Sequence, residues 1–136
     1  MEFERDTMVG YETVAEVSLC QEETLESIVP DACPDILRIV DVCGQATLSG
    51  KQAREGAAQV SGVVRTVILY QPEGGGGLRR MEASLPFTCQ AEAPGLTERG
   101  VVLACPRLRS AEARALNPRK VLLRVDLAVD ITACQP

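Results

Sequence analysis

The chain has 136 residues, with 14 Lys or Arg against 19 Asp or Glu and no histidine. That length gives one domain able to bury enough surface to fold without a metal or a disulfide, and the net charge of -5 argues against nucleic acid, which attracts basic stripes. The missing histidine removes the commonest general base, the Ser-His and Cys-His nucleophile pairs and every His-containing zinc site.

The N-terminal stretch Met1-Glu2-Phe3-Glu4-Arg5-Asp6 is charged rather than basic and then apolar, so it does not read as a signal peptide, and residues 1–10 are taken as an extension. Residues 12–22 read as a first strand. Residues 22–28 read as a connector that could hold one short helix, too short to be stable alone. The string Pro30-Asp31-Ala32-Cys33-Pro34-Asp35 follows, and its two prolines four apart make a rigid corner feeding the apolar residues after it. Strands are expected over 36–51, 58–70, 78–91, 101–113 and 121–131. Arg54-Glu55-Gly56, the Pro72-to-Gly77 loop, Pro94-Gly95 and Asn117-Pro118 supply the reversals between them.

Two strands carry sharper expectations. Val60, Val63, Val64, Val67, Ile68 and Leu69 are apolar on both phases, which predicts a central strand covered on both faces. Residues 121–131 alternate strictly: Val121, Leu123, Val125, Leu127, Val129 and Ile131 on one side, Arg124, Asp126 and Asp130 on the other. The fold expected is all-β, an antiparallel β-sandwich or partly closed barrel with at most one short helix, as a single domain over 11–134. Its core must be aliphatic, since Trp is absent and Tyr and Phe number two each. No apolar run approaches the roughly 18 residues of a membrane span, so no membrane insertion is expected.

Candidate chemistry is sparse. The six cysteines include no Cys-x-x-Cys, which leaves a zinc ribbon or a thioredoxin-type motif unsupported, and no metal or other cofactor is expected. Cys89 follows Leu85 and Phe87 on an apolar phase and reads as a small core residue. Cys20, Cys43 and Cys134 share phase with polar neighbours, which makes them candidates for cross-linking, Cys134 foremost because a chain end can move to meet a partner thiol. The alternative is that these faces are covered and the thiols stay reduced. Gly74 to Gly77 precede a strand rather than a helix and read as a hairpin loop, not a phosphate cradle. Arg79-Arg80 and Arg119-Lys120 read as solvated turn residues. Asp31 and Asp35 beside prolines read as turn and cap residues before they read as a catalytic pair. No catalytic residue is assigned.

The string Ile28-Val29-Pro30-Asp31-Ala32-Cys33-Pro34-Asp35-Ile36-Leu37-Arg38-Ile39-Val40 resembles the SPOCS domain. So do Gly62 to Tyr70, Leu85-Pro86-Phe87 and Asn117-Pro118-Arg119-Lys120. The resemblance marks Pro30, Asp31, Pro34, Asp35 and Ile36 as structural signature positions. It implies a non-enzymatic module of the spore envelope of clostridia and related Firmicutes, made in the mother-cell cytoplasm and carried to the spore surface. Its expected partners are copies of itself or a spore coat morphogenetic protein. Such domains commonly stand beside a LysM module. None follows Cys134 in this sequence, so the chain is expected to be a stand-alone member or a piece of a longer protein. The alternative reading is a glycan-binding module for envelope polysaccharide, which would want exposed aromatics among Phe3, Tyr11, Tyr70 and Phe87. An enzyme using Asp31 and Asp35 is a third.

Overall fold

Period-two alternation along most of the chain produces six long strands, and their apolar phases decide how they stack. A computed structural model describes residues 7, 8 and 10–136. The strands are β1 (Thr7–Met8), β2 (Tyr11–Ile28), β3 (Ile36–Arg54), β4 (Ala57–Pro72), β5 (Arg79–Glu92), β6 (Val101–Asn117) and β7 (Lys120–Gln135). They form two antiparallel sheets, ordered β1-β2-β7-β6 and β3-β4-β5. The two-residue β1 pairs with Tyr11 and Glu12 only. The rest of the expected N-terminal extension, residues 1–6 and 9, lies outside the described residues.

β7 is the middle of the first sheet, between β2 and β6. Val121, Leu123, Val125 and Leu127 have no exposed surface, and Val129 and Ile131 are equally enclosed, whereas Arg124 on the opposite phase is exposed. A one-residue slip would exchange these faces, so the register is fixed by burial. β4 is the middle of the second sheet, and its inner residues Val60, Val64, Ile68 and Tyr70 join the same core together with Met81, Leu85 and Phe87 of β5. Each such aliphatic side chain contributes about 1.5–3 kcal/mol through burial.

Two expectations change. Residues 22–28 are not a helix: they continue β2, pairing residue by residue with β7 from Glu22↔Asp126 to Ile28↔Lys120. The neighbouring strand supplies backbone partners along one side of the segment, where a short helix would have had to supply its own. The outer face of β4 is also barer than expected. Val63, Val67 and Leu69 are half-buried among side chains of β3 and β5 rather than lying under another layer.

The sheets approach closely along β3 and β6, where a Cβ on Gly44 would stand 3.1 Å from Leu108 Cδ2. On the other side, Gln21 Nε2 of β2 reaches the Thr88 carbonyl of β5 at 3.2 Å. Neither approach is a hydrogen-bonded ladder among the described residues, so the molecule is a sandwich and not a closed barrel. No helix among those residues is long and apolar enough to cross a membrane.

Gly62 shows how tightly neighbouring strands of the second sheet pack. It lies on the inner face of β4 between Leu48 and Phe87, and any Cβ there would collide with the Thr47 carbonyl and with Phe87 Cζ. Backbone and a packed ring cannot both give way, so Gly62→Ala is expected to destabilise by about 1–3 kcal/mol through overpacking. Val125→Ala is expected to cost a similar amount, on the order of 1–3 kcal/mol, through lost burial and a cavity. Urea unfolding of the two variants checks both, and a wild-type midpoint for either would contradict the packing described.

Candidate functional site: the proline–aspartate corner

Between β2 and β3 the chain must leave one sheet and enter the other. Pro30 and Pro34 hold the backbone extended or turned, and the Cys33 N–H closes a tight turn on the Pro30 carbonyl at 2.9 Å. The corner is then fastened to the turn before β7. The Val29 N–H donates to the Arg119 carbonyl and the Ile36 N–H to the Pro118 carbonyl, both at 2.9 Å. Val29 and Ile36, on either side of the corner, are 0% and 3% exposed, so both ends of the crossing are anchored in the core.

Arg119 is the centre of this arrangement. Its Nη1 donates to the Cys33 carbonyl at 2.7 Å and to Asp35 Oδ1 at 3.1 Å. Its Nη2 donates to the carbonyls of Val29 at 3.0 Å and Pro30 at 2.9 Å. A planar guanidinium with fixed donor directions suits this set of acceptors, which a lysine could not match. Asn117 Oδ1 in turn accepts from the Arg119 N–H at 2.7 Å and shapes the turn that presents it. From the second sheet, the Tyr70 hydroxyl donates to the Pro34 carbonyl at 2.9 Å. Burial pushes the Tyr70 hydroxyl above the usual tyrosine range, and the neighbouring Cys33 adds to the effect. The protonated, donating form is therefore the one the fold holds. The Asp35 carbonyl accepts from the Glu73 N–H at 2.9 Å, tying the corner to the end of β4 as well.

The five positions marked by the resemblance have distinct places in the structure. Ile36 is a core anchor, Asp35 is a half-buried ion-pair partner, and Pro30 and Pro34 offer carbonyls to Arg119 and Tyr70. Asp31 is exposed, and its side chain has no hydrogen-bond partner among the described residues. Arg119 was expected to be a solvated turn residue; the structure corrects this, because its turn abuts the corner and four acceptors face it. Its neighbour Lys120 pairs with Glu26 at 3.3 Å on the surface of β2 and β7.

The cysteines divide differently from their strand phases. Cys20, Cys43 and Cys105 are exposed. Cys20 Sγ accepts from Arg109 Nη1 at 3.5 Å across the face of the first sheet. On that face Asp130 is held below the usual carboxylate range, chiefly by the hydrogen bonds of Arg107 and then by Ser18. Cys134, expected to be the accessible thiol, is instead 2% exposed. Its phase is the outer one, but β7 is a central strand, and Thr13 of β2 and Val101 of β6 flank it in register, with Thr13 Oγ1 at 3.9 Å from the thiol. Phase names a face and says nothing of how well that face is covered. Cys89 is half-buried on the inner face, and burial raises its thiol above the usual range. Among the described residues no three Cys, Asp or Glu side chains converge where they could share a metal ion.

Replacing Arg119 would leave three carbonyls and a carboxylate short of donors. Arg119→Met is expected to destabilise by about 2–4 kcal/mol, and Arg119→Lys to recover only part of it. Thermal unfolding tests this, and a lysine variant as stable as the wild type would show that charge alone suffices. Thiol alkylation of the folded protein should modify Cys20, Cys43 and Cys105 well before Cys89 and Cys134; early labelling of Cys134 would contradict its placement.

Comparison with curated proteins returns no match, and neither does comparison with solved structures. Comparison with family models returns one described as SipL, SPOCS domain, over residues 35–114. The matched segment starts at Asp35 of the corner and runs through β3, β4, β5 and most of β6. It spans more than half of the chain, and the chain therefore belongs to the sporulation-associated SipL SPOCS-domain family.

Proposed function

We propose that this chain is a non-enzymatic structural and interaction module of the spore envelope, assembling with copies of itself or with coat proteins. The observation that carries the reading is where apolar surface is left in water. Of the six large hydrophobics exposed among the described residues, five lie at the corner end of the sandwich: Ile28, Leu37, Val40, Leu78 and Leu116. Ile28 ends β2, Leu37 and Val40 open β3, Leu78 precedes β5, and Leu116 closes β6 beside the Asn117 turn. Single exposed hydrophobics are ordinary, but their gathering at one end is what a docking surface requires. The polar groups nearby serve the fold: Asp35 is engaged by Arg119, and Tyr70 by the Pro34 carbonyl. That use supports an anchoring role over a catalytic one. A glycan platform has less support, since Tyr70 and Phe87 are core residues and only Tyr11 among the described aromatics reaches the surface.

Assembly should be visible by size-exclusion chromatography with light scattering over rising concentration, alone and with purified coat morphogenetic proteins. Leu37→Ser with Leu116→Ser is expected to weaken whichever complex forms by at least several fold without unfolding the domain. In oxidising conditions Cys20→Ser with Cys43→Ser should reduce any reductant-sensitive species, whereas Cys134→Ser should leave it unchanged. A wild-type chain that stays monomeric and binds no coat protein would overturn the reading.

A further inference from the structure

Sheet edges are templates for added strands, and folded proteins usually blunt them with prolines, bulges, lysines or cover. Three of the four lateral strands here are blunted. β6 carries Pro106 and two register shifts and has β3 alongside it. β3 has three register shifts. β5 carries Pro86, which has no N–H to offer. β2 differs. After the irregularity between Thr13 and Ala15 its register with β7 is unbroken to Ile28, and β2 contains no Pro, Gly, Lys or Arg. β1 covers only Tyr11 and Glu12, and among the described residues no strand pairs with the outer edge beyond them.

What β2 carries instead is negative charge. Glu16, Glu22 and Glu26 stand on its outer face, where Glu22 pairs with Arg124 of β7 at 3.1 Å and Glu26 with Lys120 at 3.3 Å, and Glu23 stands on its inner one. Glu23 is half-buried at the opening between β2 and β5, where Gln21 Nε2 donates to Glu23 Oε2 at 2.7 Å as well as to the Thr88 carbonyl. These glutamates exclude the simplest partner. Antiparallel pairing of β2 with its own copy, centred on Glu23, sets the two Glu23 carboxylates directly opposite each other. A pairing centred on Leu19 sets Glu16 opposite Glu22. Like charges so placed are destabilising. The same row favours a strand of opposite charge, because cross-strand ion pairs and steering act together.

We propose that the edge of β2 from Ala15 to Ile28 receives an extended cationic segment of another protein as an added strand. A Lys or Arg of that segment would face Glu16, others at alternate positions would share Glu22 and Glu26 with Arg124 and Lys120 of β7, and one further basic residue would meet Glu23 at the opening. Backbone hydrogen bonds supply the affinity and the alternate charges the selectivity. The strand would run toward Ile28, so it continues the apolar end of the sandwich. This inference rests on the interaction-module reading and specifies its partner.

The test uses two synthetic twelve-residue peptides at physiological salt, one alternating Lys and Thr with a single extra Lys on the Thr phase to meet Glu23, and the other identical with Glu in place of every Lys. Affinity is read by fluorescence anisotropy and location by amide hydrogen exchange. The Lys-Thr peptide is expected to bind at least tenfold more tightly and to slow exchange within residues 15–28. Glu16→Lys with Glu23→Lys should reverse the preference. Should that variant fail to fold, Glu16→Gln with Glu23→Gln should shrink the preference several fold. Equal binding of both peptides, protection away from β2, an unchanged preference in the variants, or a dimer formed through β2 would overturn the proposal. If β2 stays unprotected while light scattering still shows assembly, the edge assignment falls and the interaction module stands.

Discussion

One guanidinium holds the two sheets in their relation at the corner. Arg119 comes from the turn before β7, yet three of its acceptors are backbone carbonyls of the segment joining β2 to β3, and the fourth is Asp35. Four charge-assisted hydrogen bonds from one side chain fix a stretch of irregular backbone that otherwise has few partners. The Tyr70 hydroxyl holds the same stretch from the opposite sheet. The crossing is thus tied from above and below, and Val29 and Ile36 can sit in the core on either side of it.

This anchoring gives the sandwich two unlike ends. At the corner end, rigid backbone is surrounded by exposed Ile28, Leu37, Val40, Leu78 and Leu116, while at the other end Leu103 alone is exposed among the large hydrophobics described. A rigid apolar end can dock without the ordering cost that a mobile loop would bring to association. The acidic edge of β2 runs into that end, so the two surfaces can serve one partner. The core itself is ordinary in its energetics, built from aliphatic side chains, and at Gly62 the Phe87 ring of the neighbouring strand lies close over the backbone.

Much of this was legible in the residues. Strict alternation over 121–131 named the buried side of β7 correctly at every aliphatic position, because a half-buried strand has no other way to satisfy its charges. The proline–aspartate corner was legible from its prolines, and the family from the motifs around it. Long-range partnership was not legible. Arg119 and the corner are more than eighty positions apart, and nothing local distinguishes a clamping arginine from a solvated one. The signal lay in Asn117-Pro118-Arg119-Lys120, which resembles the SPOCS domain alongside the corner. Cys134 shows the other limit. Its outward phase was right and its exposure was not, since coverage depends on Thr13 and Val101 in strands far away in sequence. The extent of β2 was missed for the same reason: residues 22–28 are extended because β7 pairs with them.

The corner end of the sandwich is the surface through which we propose that this module binds. Amide hydrogen exchange tests it directly, comparing the dilute chain with the chain at assembling concentration and with a purified coat morphogenetic protein. The account predicts slowed exchange in peptides spanning residues 28–40 and 116–120 in whichever condition forms a complex, with the Leu103 end unchanged. Protection confined to the Leu103 end, or a complex that protects neither end, would contradict it.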